Sequence, residues 1–158
     1  MAGPLCAYEP APHRCEFVRT VAGVDYINDS KATNLDAAEK ALQAQTKSVV
    51  LIAGGKDKGF DFQPLRHVVK EKVHAAILLG EMAKRIAEDW HGITRCEIAR
   101  SLADAVERAH AAAKVGDVVL FSPGTSSFDM SQNAAKLSTR NAASAVVETM
   151  EKYTNIAE

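Results

Sequence analysis

The chain has 158 residues and 17.0 kDa, 47% of them hydrophobic and 25% charged. That suits one globular domain with a core of its own and excludes a disordered, collagen-like or coiled-coil chain. Nineteen basic residues against twenty acidic ones leave a net charge of −1 and no basic tail, so nothing recommends nucleic acid or an anionic membrane as a partner.

Residues 1–12, rich in Pro and Ala, read as a linker stub, and a chain that begins in a linker reads as a piece of something longer. No charged n-region with a long apolar h-region follows Met1, and runs such as Val49 to Ala53 are too short to span a bilayer. Cys6, Cys15 and Cys96 form no CxxC pair and read as reduced thiols, so the expectation is a soluble cytoplasmic domain. Cys15 to Thr20 and Val24 to Asn28 flank Ala22-Gly23 and predict a hairpin. Leu35, Ala38 and Leu42 fall at helical spacing, and Ser48 to Ala53 predicts a buried strand. Phe62, Leu65 and Val69 predict the next helix, capped by Asp61 with Pro64 in its first turn. Ala75 to Leu79 follows as a second buried strand, then a helix on the stripe Met82, Ile86 and Trp90. Thr94 to Ile98 is a weaker strand, nearer an edge. Ser101 with Asp104 resembles a capping box opening a helix on Leu102, Val106, Ala109 and Ala113. Val118 to Phe121 is the last buried strand, and Gln132 to Tyr153 the last helix. Apolar runs alternating with helical stripes indicate an α/β domain whose mainly parallel sheet is covered on both faces.

In such sheets ligands bind beyond the carboxyl ends of the strands. Three loops there have an unusual composition: Asn28-Asp29-Ser30-Lys31-Ala32-Thr33-Asn34, Gly54-Gly55-Lys56-Asp57-Lys58-Gly59, and Ser122-Pro123-Gly124-Thr125-Ser126-Ser127-Phe128-Asp129. Backbone N–H groups and helix dipoles at such positions favour anions. Lys31, Lys58 and the Ser126 and Ser127 hydroxyls suit either a dicarboxylate or phosphate oxygens. Asp29 suits ribose hydroxyls or a metal-bound water. Single loops of this kind are commonly only turns and caps; three at equivalent strand ends favour a site. GGKDKG lacks the Walker A order, and no G-x-G-x-x-G is present, so nucleotide hydrolysis by the chain alone is not expected. The histidines lack metal-ligand spacing and read as surface or boundary residues; no metal site is expected. Trp90 and Met82 read as core.

With Pro12-His13-Arg14-Cys15-Glu16 before them, and Met130 closing the last, these motifs in this order resemble the C-terminal domain of the Mur ligases, in the branch that adds D-glutamate. The resemblance runs from about Pro12 to Met130 and implies that residues 13–158 form that amino-acid-binding domain. It implies an ATP-dependent amide ligase of peptidoglycan synthesis. In such an enzyme a central P-loop domain binds ATP and Mg2+ and phosphorylates a carboxylate of UDP-N-acetylmuramoyl-L-alanine. The amine of D-glutamate then attacks the acyl phosphate. Carried over residue by residue, Lys31, Thr33, Lys58, Ser127 and Phe128 form the D-glutamate site. His13 and Arg14 approach the nucleotide from the linker, Asp29 contacts it, and no catalytic residue belongs to this domain alone. The expected partners are those substrates and the central and N-terminal domains of one monomeric enzyme.

Beyond Met130 the sequence departs from the family. Ser131-Gln132-Asn133-Ala134 stands where Phe-x-Asn-Tyr is usual, and Leu137-Ser138 where Arg-Gly is usual. A folylpolyglutamate synthase-like ligase domain, or a non-enzymatic module binding anions or phosphosugars, are the competing readings. The fold expected is a three-layer, Rossmann-like α/β domain with a mostly parallel sheet and one antiparallel hairpin strand.

Overall fold

The computed structural model describes residues 16–29, 32, 34–57, 59 and 61–124. The expected helix over Gln132 to Tyr153 lies outside the described residues, as do Cys6 and Cys15. Strands β1 (Glu16–Val21) and β2 (Val24–Asn28) form the expected hairpin, closed by a two-residue turn at Ala22 and Gly23, with φ of 51° and 81°. Positive φ at both positions matches the strands' right-handed twist. Then come α1 (Leu35–Gln43), β3 (Val49–Gly54), a 3-10 turn (Gln63–Leu65), α2 (Arg66–Lys72), β4 (Val73–Leu79), α3 (Ala83–Asp89), β5 (Arg95–Ile98), α4 (Leu102–Ala112) and β6 (Val118–Phe121).

One six-stranded sheet holds them in the order β1-β2-β6-β3-β4-β5. Only β1 runs antiparallel to its neighbour; β2, β6, β3, β4 and β5 are mutually parallel. All six residues of β3 and all four of β6 are buried, as a sheet covered on both faces requires. Alternation divides them. Val49, Leu51, Ala53, Val118 and Leu120 join the core under α1, α2 and α3, whereas Val50, Ile52, Val119 and Phe121 join the core under α4. This is the expected three-layer architecture. Truncating a fully buried side chain such as Ile52 to Ala costs about 2–5 kcal/mol. Met82, Ile86 and Trp90 are core, as expected; Trp90 donates its indole N–H to the Phe62 carbonyl at 3.0 Å.

Three local expectations change. β4 begins at Val73, two residues early, because a bulge against β3 makes His74 an extra residue and breaks the alternation on which the strand's start was judged. Phe62 precedes its helix: Pro64 lies in a 3-10 turn and α2 starts only at Arg66, so Asp61 accepts from the Gln63 N–H (3.0 Å) and serves the turn. At α4 the Ser101 hydroxyl oxygen accepts from the Asp104 N–H at 3.1 Å. In return the Asp104 carboxylate accepts from the Arg100 N–H (2.9 Å), one residue earlier than a capping box places it. Among the described residues no helix is long and apolar enough to cross a membrane.

Candidate functional site

The strand order decides the geometry of the site. β6, the last strand among the described residues, lies between β2 and β3 and parallel to both. Asn28 is level with Phe121, and Phe121 with Ile52, so the three unusual loops leave neighbouring strands at one end of the sheet.

Backbone hydrogen bonds join them there. The Asp29 N–H donates to Phe121 O (2.7 Å) and the Ser122 N–H to Ile52 O (3.0 Å). The Gly124 N–H donates to Ala32 O (2.7 Å), tying the third loop to the first, and the Gly54 N–H to Pro123 O (3.0 Å), tying it to the second. Beneath them Asn28 and Asp29 are buried, at 0% and 3% exposure. The buried Ser122 hydroxyl donates to the Asp29 carboxylate at 3.2 Å. A buried carboxylate needs such donors, since an unpaired charge there costs several kcal/mol or more. Asp29 therefore clamps the first loop to the third, a role its sequence position did not disclose.

Asn34 closes the first loop as the N-cap of α1, its side-chain oxygen accepting from the Ala37 N–H at 2.8 Å. That residue is a cap. Beside it opens a cleft of about 350 Å³ lined by Asp29, Ala32, Asn34, Asp36, Ala37, Lys40 and Ala41. Asp36 and Lys40 form an exposed ion pair (3.0 Å) one helical turn apart.

The second loop depends on a close approach of backbones. At Gly54 (φ 107°) an added Cβ would lie 2.2 Å from Leu79 O, and one at Gly80 would lie 2.7 Å from Gly55 O. Only glycine allows both the conformation and the contact. Along the loop the Asp57 N–H donates to Glu81 Oε2 (2.9 Å), and the Gly59 N–H to Asp57 Oδ1 (2.8 Å). These two N–H groups, expected to await an anionic ligand, are engaged by the protein's own carboxylates. Sequence reasoning missed Glu81; the available signal was a Gly-Glu pair directly after the strand that follows β3.

Of the residues singled out for a site, Asp29 is described. His13, Arg14, Lys31, Thr33, Lys58, Ser126, Ser127 and Phe128 lie outside the described residues. Away from the rim, His67 pairs with Glu39 (3.0 Å), His74 with Asp117 (2.7 Å), and His110 Nδ1 meets the Tyr26 hydroxyl (2.6 Å), so these are surface and boundary residues as expected. Burial pushes the Tyr26 hydroxyl pKa up to about 12 and that of the Cys96 thiol above its ordinary value. Among the described residues no group of three His, Cys, Asp or Glu side chains could hold a metal ion.

Comparison with known proteins bears on this rim. The family model described as "Mur ligase, glutamate ligase domain" matches residues 13–125. The chain is 48% identical over 128 residues to the UDP-N-acetylmuramoylalanine--D-glutamate ligase of Geotalea daltonii, covering 81% of this chain and 28% of that protein. It is 47% identical over 123 residues to the ligase of that name from Aquifex aeolicus, covering 77% and 30%. It thus spans less than a third of the length of these curated relatives. In fold it resembles E. coli FolC in complex with ADP (TM-score 0.62, 21% identity, 92% of this chain and 33% of that one). It also resembles the MurF ligase of Thermotoga maritima in complex with ADP (TM-score 0.56, 16% identity, 98% and 34%). From the matched span and the close relatives together, the chain belongs to the Mur ligase family, in which it corresponds to the glutamate ligase domain.

Proposed function

We propose that this chain is the amino-acid-binding part of an ATP-dependent ligase that joins D-glutamate to UDP-N-acetylmuramoyl-L-alanine in cytoplasmic peptidoglycan synthesis. The observation that carries the reading is the seating of three anion-suited loops on three adjacent parallel strands, cross-linked by backbone bonds. The 48% identity to a relative named for D-glutamate supports the substrate.

In this reading Lys31, Thr33, Lys58, Ser127 and Phe128 form the D-glutamate site. Two ammonium groups and two hydroxyls are what a dicarboxylate needs, because charge-assisted hydrogen bonds are the strong ones. In sequence, Lys31 falls between Asp29 and Ala32, which bond to each other backbone to backbone, and Lys58 between Asp57 and Gly59, which bond through the Asp57 carboxylate. His13, Arg14 and Asp29 serve the nucleotide; Asp29, being buried, serves it chiefly through the loop it holds. ATP and Mg2+ are bound mainly by the enzyme's central domain, and ATP when bound supplies the phosphoryl group that activates the UDP-sugar's carboxylate. This domain's part is to hold the amine of D-glutamate in place, which removes much of the entropy cost of a bimolecular encounter.

The test is NMR titration of the chain with D-glutamate. Shifts at the amides of all three loops, larger with D- than with L-glutamate, are expected, at millimolar affinity because domain closure supplies further contacts. A chain that responds to phosphosugars and not to glutamate, or prefers L-glutamate, overturns the reading.

A further inference from the structure

Glu81 lies where the exits of β3 and β4 touch. Its neighbours are both held against the second loop: Gly80 packs on the Gly55 carbonyl, and the Met82 N–H donates to that same carbonyl at 3.2 Å. Glu81 thus projects from a backbone that cannot shift without losing the Met82–Gly55 bond. It is solvent-exposed, and its carboxylate engages a main-chain N–H, that of Asp57, 24 residues earlier in the chain. Asp57 in turn engages the Gly59 N–H. The two carboxylates act in series, the first fixing Asp57 and the second fixing the turn that follows. Bonds to main-chain groups specify the path of the loop. An exposed carboxylate on an exposed loop adds little to global stability, so its use lies in the loop's conformation.

We infer that Glu81 is a positioning residue of the glutamate site, holding the Gly54–Gly59 loop in the conformation that receives the substrate's carboxylate. The inference rests on the proposed function and adds to it a residue from a fourth strand exit. Glu81 touches no substrate; it acts through Asp57.

The experiment compares the chain with its Glu81→Ala and Glu81→Gln variants by D-glutamate titration and amide hydrogen exchange. Glu81→Ala is expected to weaken D-glutamate binding about tenfold and to speed exchange at Asp57 and Gly59, with the melting temperature nearly unchanged. Glu81→Gln keeps an acceptor oxygen and is expected to stay within about threefold of wild type. A merely structural role would move the melting temperature of Glu81→Ala and leave affinity alone. Wild-type affinity in Glu81→Ala, with Asp57 exchanging freely, overturns the inference and leaves the glutamate reading standing. A wild-type chain silent to D-glutamate overturns that reading and the inference with it.

Discussion

The two ends of the sheet are held in different ways. At the amino ends of β2 and β6, charged and polar side chains meet each other. Asp25 takes Lys47 Nζ at 2.8 Å and the Thr20 hydroxyl at 2.6 Å, while Asp117 takes His74 Nε2 at 2.7 Å and the Lys114 N–H at 2.8 Å. At the carboxyl ends the loops are joined by main-chain bonds, the Ser122–Asp29 pair, the bond from the Asp57 N–H to Glu81 and a glycine crossing. The first arrangement commits side chains to structure. Main-chain bonds serve both ends, from the Asp25 N–H to Asp117 O and the Val118 N–H to Ser48 O at the amino end, and the second arrangement adds to them the close glycine crossing of the β3 and β4 exits. The amino end thus carries charged and polar side-chain pairs, and the carboxyl end carries the three loops proposed to bind the substrate.

Breaking the glycine crossing has the largest expected effect. In Gly54→Ala the new Cβ would lie 2.2 Å from a main-chain oxygen that cannot rotate away, at a φ of 107° that alanine resists. A loss of more than about 3 kcal/mol is expected in denaturant unfolding. Next comes a matched pair. Asp117→Ala is expected to cost about 2 kcal/mol with the D-glutamate response intact, and Ser122→Ala about 1 kcal/mol with that response weakened severalfold. If Asp117→Ala disturbed the titration as much as Ser122→Ala, the division between the two ends would collapse.

A smaller effect is pH-dependent. Burial pushes the Asp25 carboxyl pKa up, but the hydrogen bonds from Lys47 and Thr20 and the Lys47 charge outweigh it, leaving the value below the ordinary one. A folded-state value below the unfolded one adds stability that is full above about pH 4 and is lost as pH falls through the lower folded value. With Lys47 half exposed, the pair is worth about 1 kcal/mol or less. Asp25→Asn is expected to flatten the acid limb of the stability curve by that amount without touching ligand binding. The smallest effect is a gain: Ala22→Gly relieves a non-glycine residue at φ 51° and is expected to add about 0.5 kcal/mol in thermal unfolding.

Much of this was legible in the chain. Val49 to Gly54 and Val118 to Phe121 are short enough, and apolar enough, to be nothing but covered strands. Thr94 to Ile98 was rightly placed at an edge by its mixed composition. The start of β4 was not legible, because one bulged residue shifts the alternation. The helix start after Phe62 was missed since burial of Phe62 beneath Trp90 comes from tertiary packing and mimics a helical stripe. Of the site, the loops were found by composition, whereas Glu81 and the Asp29–Ser122 clamp were not, since their partners lie 24 and 93 residues away.

By itself the sequence determined the kind of each element, its rough bounds and the family, because these rest on periodicity and motifs within a window of a few residues. The order of the strands came only with the folded chain. Pairing is chosen by which strands can be buried on both faces at once, a condition on the whole sheet, and it alone brought β6 between β2 and β3 and the three loops to one rim.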